Sequence, residues 1–127
     1  MDILDDFTGM PWAISLRSKE EAFPKLIAWQ KAHENETSLT IGTYIFDNGE
    51  LKSNKMSEWL QLQGTSLRLT APYSSAQNGR VERLHRTLMA KARTMRLHCD
   101  CPPYLWDEFY MTATFLHSIT TNSQDRV

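Results

Sequence analysis

Asp47-Asn48-Gly49-Glu50 and Gln77-Asn78-Gly79-Arg80-Val81-Glu82-Arg83 bracket the stretch whose reading decides the fold of this chain. Asp47 closes an apolar run, Thr40-Ile41-Gly42-Thr43-Tyr44-Ile45-Phe46, that reads as a buried strand. Glu82 follows 35 positions later and opens a basic helix. Two carboxylates delivered by separate elements can hold a hard cation, and a basic helix beside them can meet phosphate oxygens. The arrangement therefore suits a metal site for phosphoryl transfer on DNA.

The helix is expected from Arg80 to Leu97. Val81, Leu84, Leu88, Ala92 and Met95 form one apolar stripe along it. Glu82, Arg86, Met89, Arg93 and Arg96 form a second stripe, turned by about 100°. Residues 79–97 carry a net charge of +5, against −3 over residues 1–78 and −3 over residues 98–127. The overall charge of −1 thus conceals one strongly basic helix. From charge alone, a solvated helix face is the plainer reading. Ahead of the helix, Pro72 to Gly79 reads as a flexible loop by composition.

Working outward, Ile3-Leu4-Asp5-Asp6 reads as the end of a strand, Phe7 to Pro11 as a turn, and Trp12 to Leu16 as a second strand, together a hairpin. Ser18 and Glu21 have capping-box spacing, and the helix that follows should bury Phe23, Leu26, Ile27 and either Trp29 or Gln30. Beyond the Asn48-Gly49 turn, Ser53 or Asn54 can cap a short helix carrying Met56, Trp59, Leu60 and Leu62, stopped by Gly64. Ser66 to Thr70 alternates like a strand. After Pro102-Pro103, a last helix should bury Leu105, Trp106, Phe109, Tyr110, Ala113 and Leu116, and the tail from Thr120 is polar. The order of elements is mixed α/β.

A chain of 127 residues, 41% hydrophobic and 23% charged, has the makeup of one ordinary globular domain. No apolar run reaches the length of a membrane span, and the acidic start, Met1 to Asp6, does not read as a signal peptide. Cys99 and Cys101 are too close to bridge each other, which suggests a reducing compartment. His98-Cys99-Asp100-Cys101 has no second ligand pair at a zinc spacing.

Several motifs occur in one order: Asp5-Asp6-Phe7-Thr8-Gly9, Ser18-Lys19-Glu20-Glu21-Ala22-Phe23, Asp47-Asn48-Gly49-Glu50, the block from Thr70-Ala71-Pro72-Tyr73 through Gln77-Asn78-Gly79 to Glu82-Arg83, and Leu105-Trp106-Asp107-Glu108. In this the chain resembles the integrase catalytic core of copia-type LTR retrotransposons, within the retroviral integrase superfamily. The likeness covers nearly the whole chain, and the Pro-Tyr…Gln-Asn-Gly…Glu-Arg block is its most specific part.

The resemblance implies an α/β, RNase H-like integrase core, a mixed sheet flanked by helices. It also implies a catalytic metal site of two aspartates and one glutamate holding Mg²⁺ or Mn²⁺. Asp47 matches the second aspartate and Glu82 the glutamate. Gln77, Asn78 and Gly79 would form a mobile loop over the DNA end, and Arg80, Arg83, Arg86, Arg93 and Arg96 would position phosphates. His85, one turn from Glu82, reads as a polar surface contact rather than a ligand. The partners implied are retroelement ends and target DNA, in nucleus and cytoplasm, with no membrane and with room for a homo-oligomer.

The chain departs from the family in two places. Asp47-Asn48-Gly49-Glu50 has one glycine fewer than the usual Asp-Asn-Gly-Gly-Glu. The family's first catalytic aspartate lies upstream of the segment matching Asp5-Asp6, which itself matches a noncatalytic pair. The expectation is an N-terminally truncated core over residues 1–97 with a helical extension over 98–127. That core would lack the first, central strand, between strand two and the strand ending in Asp47. DNA integration by phosphodiester hydrolysis and strand transfer is then the family activity, and the fragment alone is expected to be inactive. The alternative is a noncatalytic nucleic-acid-binding remnant or a co-opted module.

Overall fold

The computed structural model describes residues 1–46, 53–69 and 75–121, with backbone alone at 75–78 and 121. The elements run β1 (Asp2–Leu4), β2 (Pro11–Ala13), a 3₁₀ turn at Lys19–Glu21, α1 (Ala22–Thr37), β3 (Thr43–Phe46), α2 (Asn54–Gln63), β4 (Ser66–Leu69), α3 (Ser75–His98), a 3₁₀ turn at Pro103–Leu105, and α4 (Trp106–Thr121). The mixed α/β order stands. The single mixed sheet does not appear among the described residues: the strands form two pairs, β1 with β2 and β3 with β4. The chain divides into two compact units, one of residues 1–15 and 79–127, the other of residues 16–78.

In the first unit β1 and β2 form the expected antiparallel hairpin, in the register Asp2↔Ala13, Ile3↔Trp12, Leu4↔Pro11. Its second strand begins at Pro11, a place where the missing N–H costs no ladder bond. The turn is closed by Asp5 N–H donating to Met10 O at 3.0 Å and Gly9 N–H to Asp5 O at 2.9 Å. Gly9 has φ +73°, a conformation that favours glycine. The Asp5 carboxylate accepts from the N–H groups of Phe7 (3.3 Å) and Thr8 (3.1 Å) and from the Thr8 hydroxyl.

The apolar stripe of α3 is buried as expected. Leu84, Leu88 and Ala92 form a core with Tyr110 and Ala113 of α4, and Leu4, Ala13, Met95 and Phe109 pack against it. Leu88 is 0% exposed. The helix begins five residues earlier than expected, at Ser75, which overturns the loop reading for 75–79. Ser75-Ala76-Gln77-Asn78 contains no breaker, and one helical glycine costs only about 1 kcal/mol, which a long helix absorbs. At its other end, Cys101 N–H donates to Arg96 O (3.1 Å) and Asp100 N–H to Leu97 O (3.2 Å). Asp100, at φ +52°, takes the left-handed position that glycine usually fills in such a cap.

On α4 the inner face is Tyr110, Ala113 and Thr114. Trp106 and Leu116, expected inside, are 53% and 39% exposed. Trp106 stands in the first turn, T-shaped to the Tyr110 ring with centroids 6.2 Å apart. Leu116 lies about 100° around the helix from the centre of that inner face.

In the second unit Ser18 does not cap a helix with its side chain. Glu21 instead accepts from the N–H of Arg17 at 3.0 Å, and α1 starts one residue later, after the 3₁₀ turn. Ala22, Leu26 and Gln30 are its buried positions, so Gln30 rather than Trp29 faces inward. Gln30 is satisfied on both sides: Tyr44 OH donates to its Oε1 (2.9 Å), and its Nε2 donates to Glu34 Oε1 (3.0 Å). Glu34 Oε1 also accepts from Ile41 N–H at 2.9 Å, and Thr65 Oγ1 donates to Ile41 O at 3.0 Å.

β3 and β4 pair in parallel, from Thr43↔Ser66 to Phe46↔Leu69. Between them lies α2, whose N-terminus is capped by Ser53 accepting from Met56 N–H at 3.2 Å and whose end is set by Gly64 at φ +69°. Met56 and Leu60 are buried, whereas Leu62, expected inside, is 84% exposed. Two positions past Leu60, Leu62 points about 160° away from it.

Candidate nucleic-acid interface

α3 carries most of the residues that the sequence singles out. Its core stripe fixes its rotation, so the opposite arc faces solvent. Glu82, Arg86 and Arg93 fall within about 40° of one another on that arc, and Arg83 stands about 80° to the side of Arg93. All four are exposed. Among the described residues none of the four forms an ion pair. Glu82 is thus an oxygen donor of the kind a hard cation takes. The described residues hold no group of three or more His, Cys, Asp or Glu able to share a metal ion.

Two of the expected phosphate contacts are engaged within the protein. Arg80 donates to Asp6 O at 2.7 Å and pairs with the Asp6 carboxylate, tying the start of α3 to the hairpin turn. Arg96 donates to Cys101 O at 3.0 Å and so closes the C-terminal cap of α3. Gly79 lies in the helix, and a Cβ there would meet nothing within 4 Å. Asp47 lies outside the described residues, as do the side chains of Gln77 and Asn78.

Sequence reasoning missed one polar cluster. His85 Nδ1 lies 2.7 Å from Asp2 Oδ2 and 3.0 Å from Tyr110 OH, and Tyr110 OH donates to the same Asp2 oxygen at 2.8 Å. His85 is exposed and makes polar contacts, as expected, and both of its partners come from other elements. Burial, first, and then the hydrogen bond and charge of Asp2 push the Tyr110 phenol far above its ordinary range. Positions 2, 85 and 110 share no local pattern, so only folding could reveal the cluster. On the other flank of α3, Lys91 Nζ lies 3.1 Å from His117 Nδ1. Burial, and then the Lys91 charge, hold His117 below the usual histidine range.

The chain is 29% identical over 114 residues to the retrovirus-related Pol polyprotein from transposon TNT 1-94 of Nicotiana tabacum. It is 27% identical over 113 residues to the corresponding polyproteins from transposons RE1 and RE2 of Arabidopsis thaliana. These matches take in 89% of this chain but only 8–9% of each relative, so the chain spans less than a tenth of the length of the curated relatives it matches. No family model matches it. The chain is thus related to a segment of retrotransposon Pol polyproteins. No helix among the described residues is long and apolar enough to cross a membrane.

Proposed function

We propose that this chain is an integrase-core segment of a retrotransposon Pol polyprotein, and that it engages DNA through the outward face of α3. The observation that carries the reading is the set Arg83, Arg86 and Arg93: exposed, making no ion pair among the described residues, on a helix of net charge +5. Such a surface binds phosphates by charge, without reading sequence. Two further points support the finer, integrase reading. One antiparallel pair, β1–β2, and one parallel pair, β3–β4, are each compatible with a mixed sheet. The motif order also extends along most of the stretch shared with the Pol relatives.

On this reading Asp47 and Glu82 would hold Mg²⁺ or Mn²⁺, which when bound activates the attacking water or 3′-OH and steadies the leaving oxygen. Glu82 supplies one carboxylate on the DNA-facing arc, while Arg86 and Arg93 hold the neighbouring phosphates. Asp5 and Asp6 do not serve as a third acid: one caps the hairpin turn and the other pairs with Arg80. That engagement favours the second reading for the chain alone, a nucleic-acid-binding module without catalysis.

The test is fluorescence anisotropy of a labelled duplex across a salt series. Weak binding should fall linearly with log salt, with the slope losing about 0.9 for each phosphate contact removed by Arg86→Ala or Arg93→Ala. Affinity and slope unchanged by both substitutions would rule out α3 as the contact. Mg²⁺-dependent strand transfer that disappears in Glu82→Gln would exclude the noncatalytic reading.

A further inference from the structure

Asp2, His85 and Tyr110 come from three elements of the first unit, β1, α3 and α4. The side chain of Asp2 is 12% exposed and Tyr110 is 6% exposed, while the side chain of His85 is 57% exposed. The cluster therefore has a closed base and one ring edge in water. Asp2 Oδ2 accepts from Tyr110 OH, and His85 Nδ1 faces both oxygens. A carboxylate at 2.7 Å requires a proton on Nδ1. The geometry of the ring then turns Nε2 to the far side, toward solvent. On α3 His85 stands about 60° around the helix from Glu82, about 80° from Arg93 and about 100° from Arg86.

A phosphodiester offers only acceptor oxygens. A neutral His85 held this way presents a lone pair at Nε2, and a protonated one presents an N–H. We propose that His85, aimed by Asp2 and Tyr110, is a phosphate contact for duplex DNA at the edge of the Arg86–Arg93 face. This rests on the DNA-binding reading above and adds a residue whose contact carries a proton with it. Contact through Nε2–H adds a proton to the complex, so affinity rises with proton concentration.

His85 faces Asp2 on β1 and Tyr110 on α4, and Glu82 and Arg86 are its charged neighbours on α3 itself. β2 (Pro-Trp-Ala) contributes none. The Met1 ammonium donates to Ile14 O at 2.8 Å. Tyr110 keeps its proton throughout this window.

The experiment measures duplex affinity of the full chain by anisotropy between pH 5.5 and 8 at constant ionic strength. Wild-type binding should tighten by about two- to fivefold toward low pH, the size of one exposed charged contact. His85→Gln should flatten that response, while His117→Gln, on the other flank of α3, should keep it. Asp2→Asn gives opposite signs for the two explanations. Removing a negative charge near a basic helix strengthens DNA binding if charge alone matters. Releasing His85 from its partner weakens binding severalfold if the contact is aimed.

Tyr110→Phe, which retains the ring and the core packing, should weaken low-pH binding by a smaller factor, and it decides the question if Asp2→Asn fails to fold by circular dichroism. A wild-type pH profile in His85→Gln, or tighter binding by folded Asp2→Asn, overturns the proposal. If Arg86→Ala and Arg93→Ala weaken binding while His85→Gln does not, only this inference falls. If no duplex binding occurs at any pH, the DNA reading falls with it.

Discussion

The two units hold their strands by different chemistry. In the first, the hairpin is fastened to the helices by charged groups: Asp2 to His85 and Tyr110, and Asp6 to Arg80. In the second, β3 is fastened to α1 by a relay with only neutral donors, Tyr44 to Gln30, Gln30 to Glu34, and Ile41 N–H to Glu34. The contrast teaches where each unit is sensitive. Ion pairs at the surface respond to salt and pH and contribute little each, whereas a buried neutral hydrogen bond ignores salt and is costly to break from one side.

Apolar packing should first show that both units share one ordinary source of stability. Leu88→Ala removes a side chain with 0% exposure and should cost about 2–5 kcal/mol in urea denaturation. A loss under about 1 kcal/mol would mean that Leu88 is not at the centre of its core. Next in size, Tyr44→Phe leaves Gln30 Oε1 without its donor in a buried place. It should cost about 1–2 kcal/mol, equally at low and high salt. The Tyr44 hydroxyl is held well above the ordinary phenol range by burial and then by the Glu34 charge, so this bond does not titrate near neutrality. Salt dependence in Tyr44→Phe would erase the contrast drawn above.

Acid sharpens the comparison from the other side. His117 titrates lower in the folded chain than the ordinary histidine value of 6.5, so the unfolded chain binds the extra proton first. Its contribution to stability is therefore present above about pH 6.5 and is lost as pH falls through the lower folded value. Melting followed from pH 7.5 to 5 should show an added acid loss in wild type that is smaller in His117→Gln. An identical pH slope in both proteins would show that folding does not lower the titration of His117. The smallest effect belongs to Arg80→Ala. Its partner Asp6 is largely exposed, so the loss should stay below about 1 kcal/mol and shrink further at high salt. A larger, salt-independent loss would mean that the hairpin depends on this contact far more than exposed pairs allow.

How much could be read beforehand depended on the range of the interaction. The stripe of Leu84, Leu88 and Ala92 was legible because helical periodicity is local, and so were the Ser53 and Gly64 caps of α2. Gln30 could not be separated from Trp29, because a buried amide requires partners, and Tyr44 lies 14 positions away. Ser75 to Gly79 looked like a loop because small polar residues and a glycine are common in loops, and composition does not register the length of the helix that follows. Arg80 and Arg96 looked the same as Arg86 and Arg93 in sequence. A contact across 74 positions engages Arg80 and a helix-cap contact across five engages Arg96, while the other two face outward. The Asp2–His85 contact spans 83 positions and left no trace in any motif.

The first unit is assembled from both ends of the chain, and Tyr110 reaches back across 108 positions to Asp2. The second is one continuous segment, residues 16–78. During synthesis at roughly 5–20 residues per second, the continuous segment can begin to fold as soon as it clears the ribosome. The hairpin is made before α3 and α4 and must wait for them before its core can close. The long chain closure this demands makes the discontinuous unit the slow step of folding.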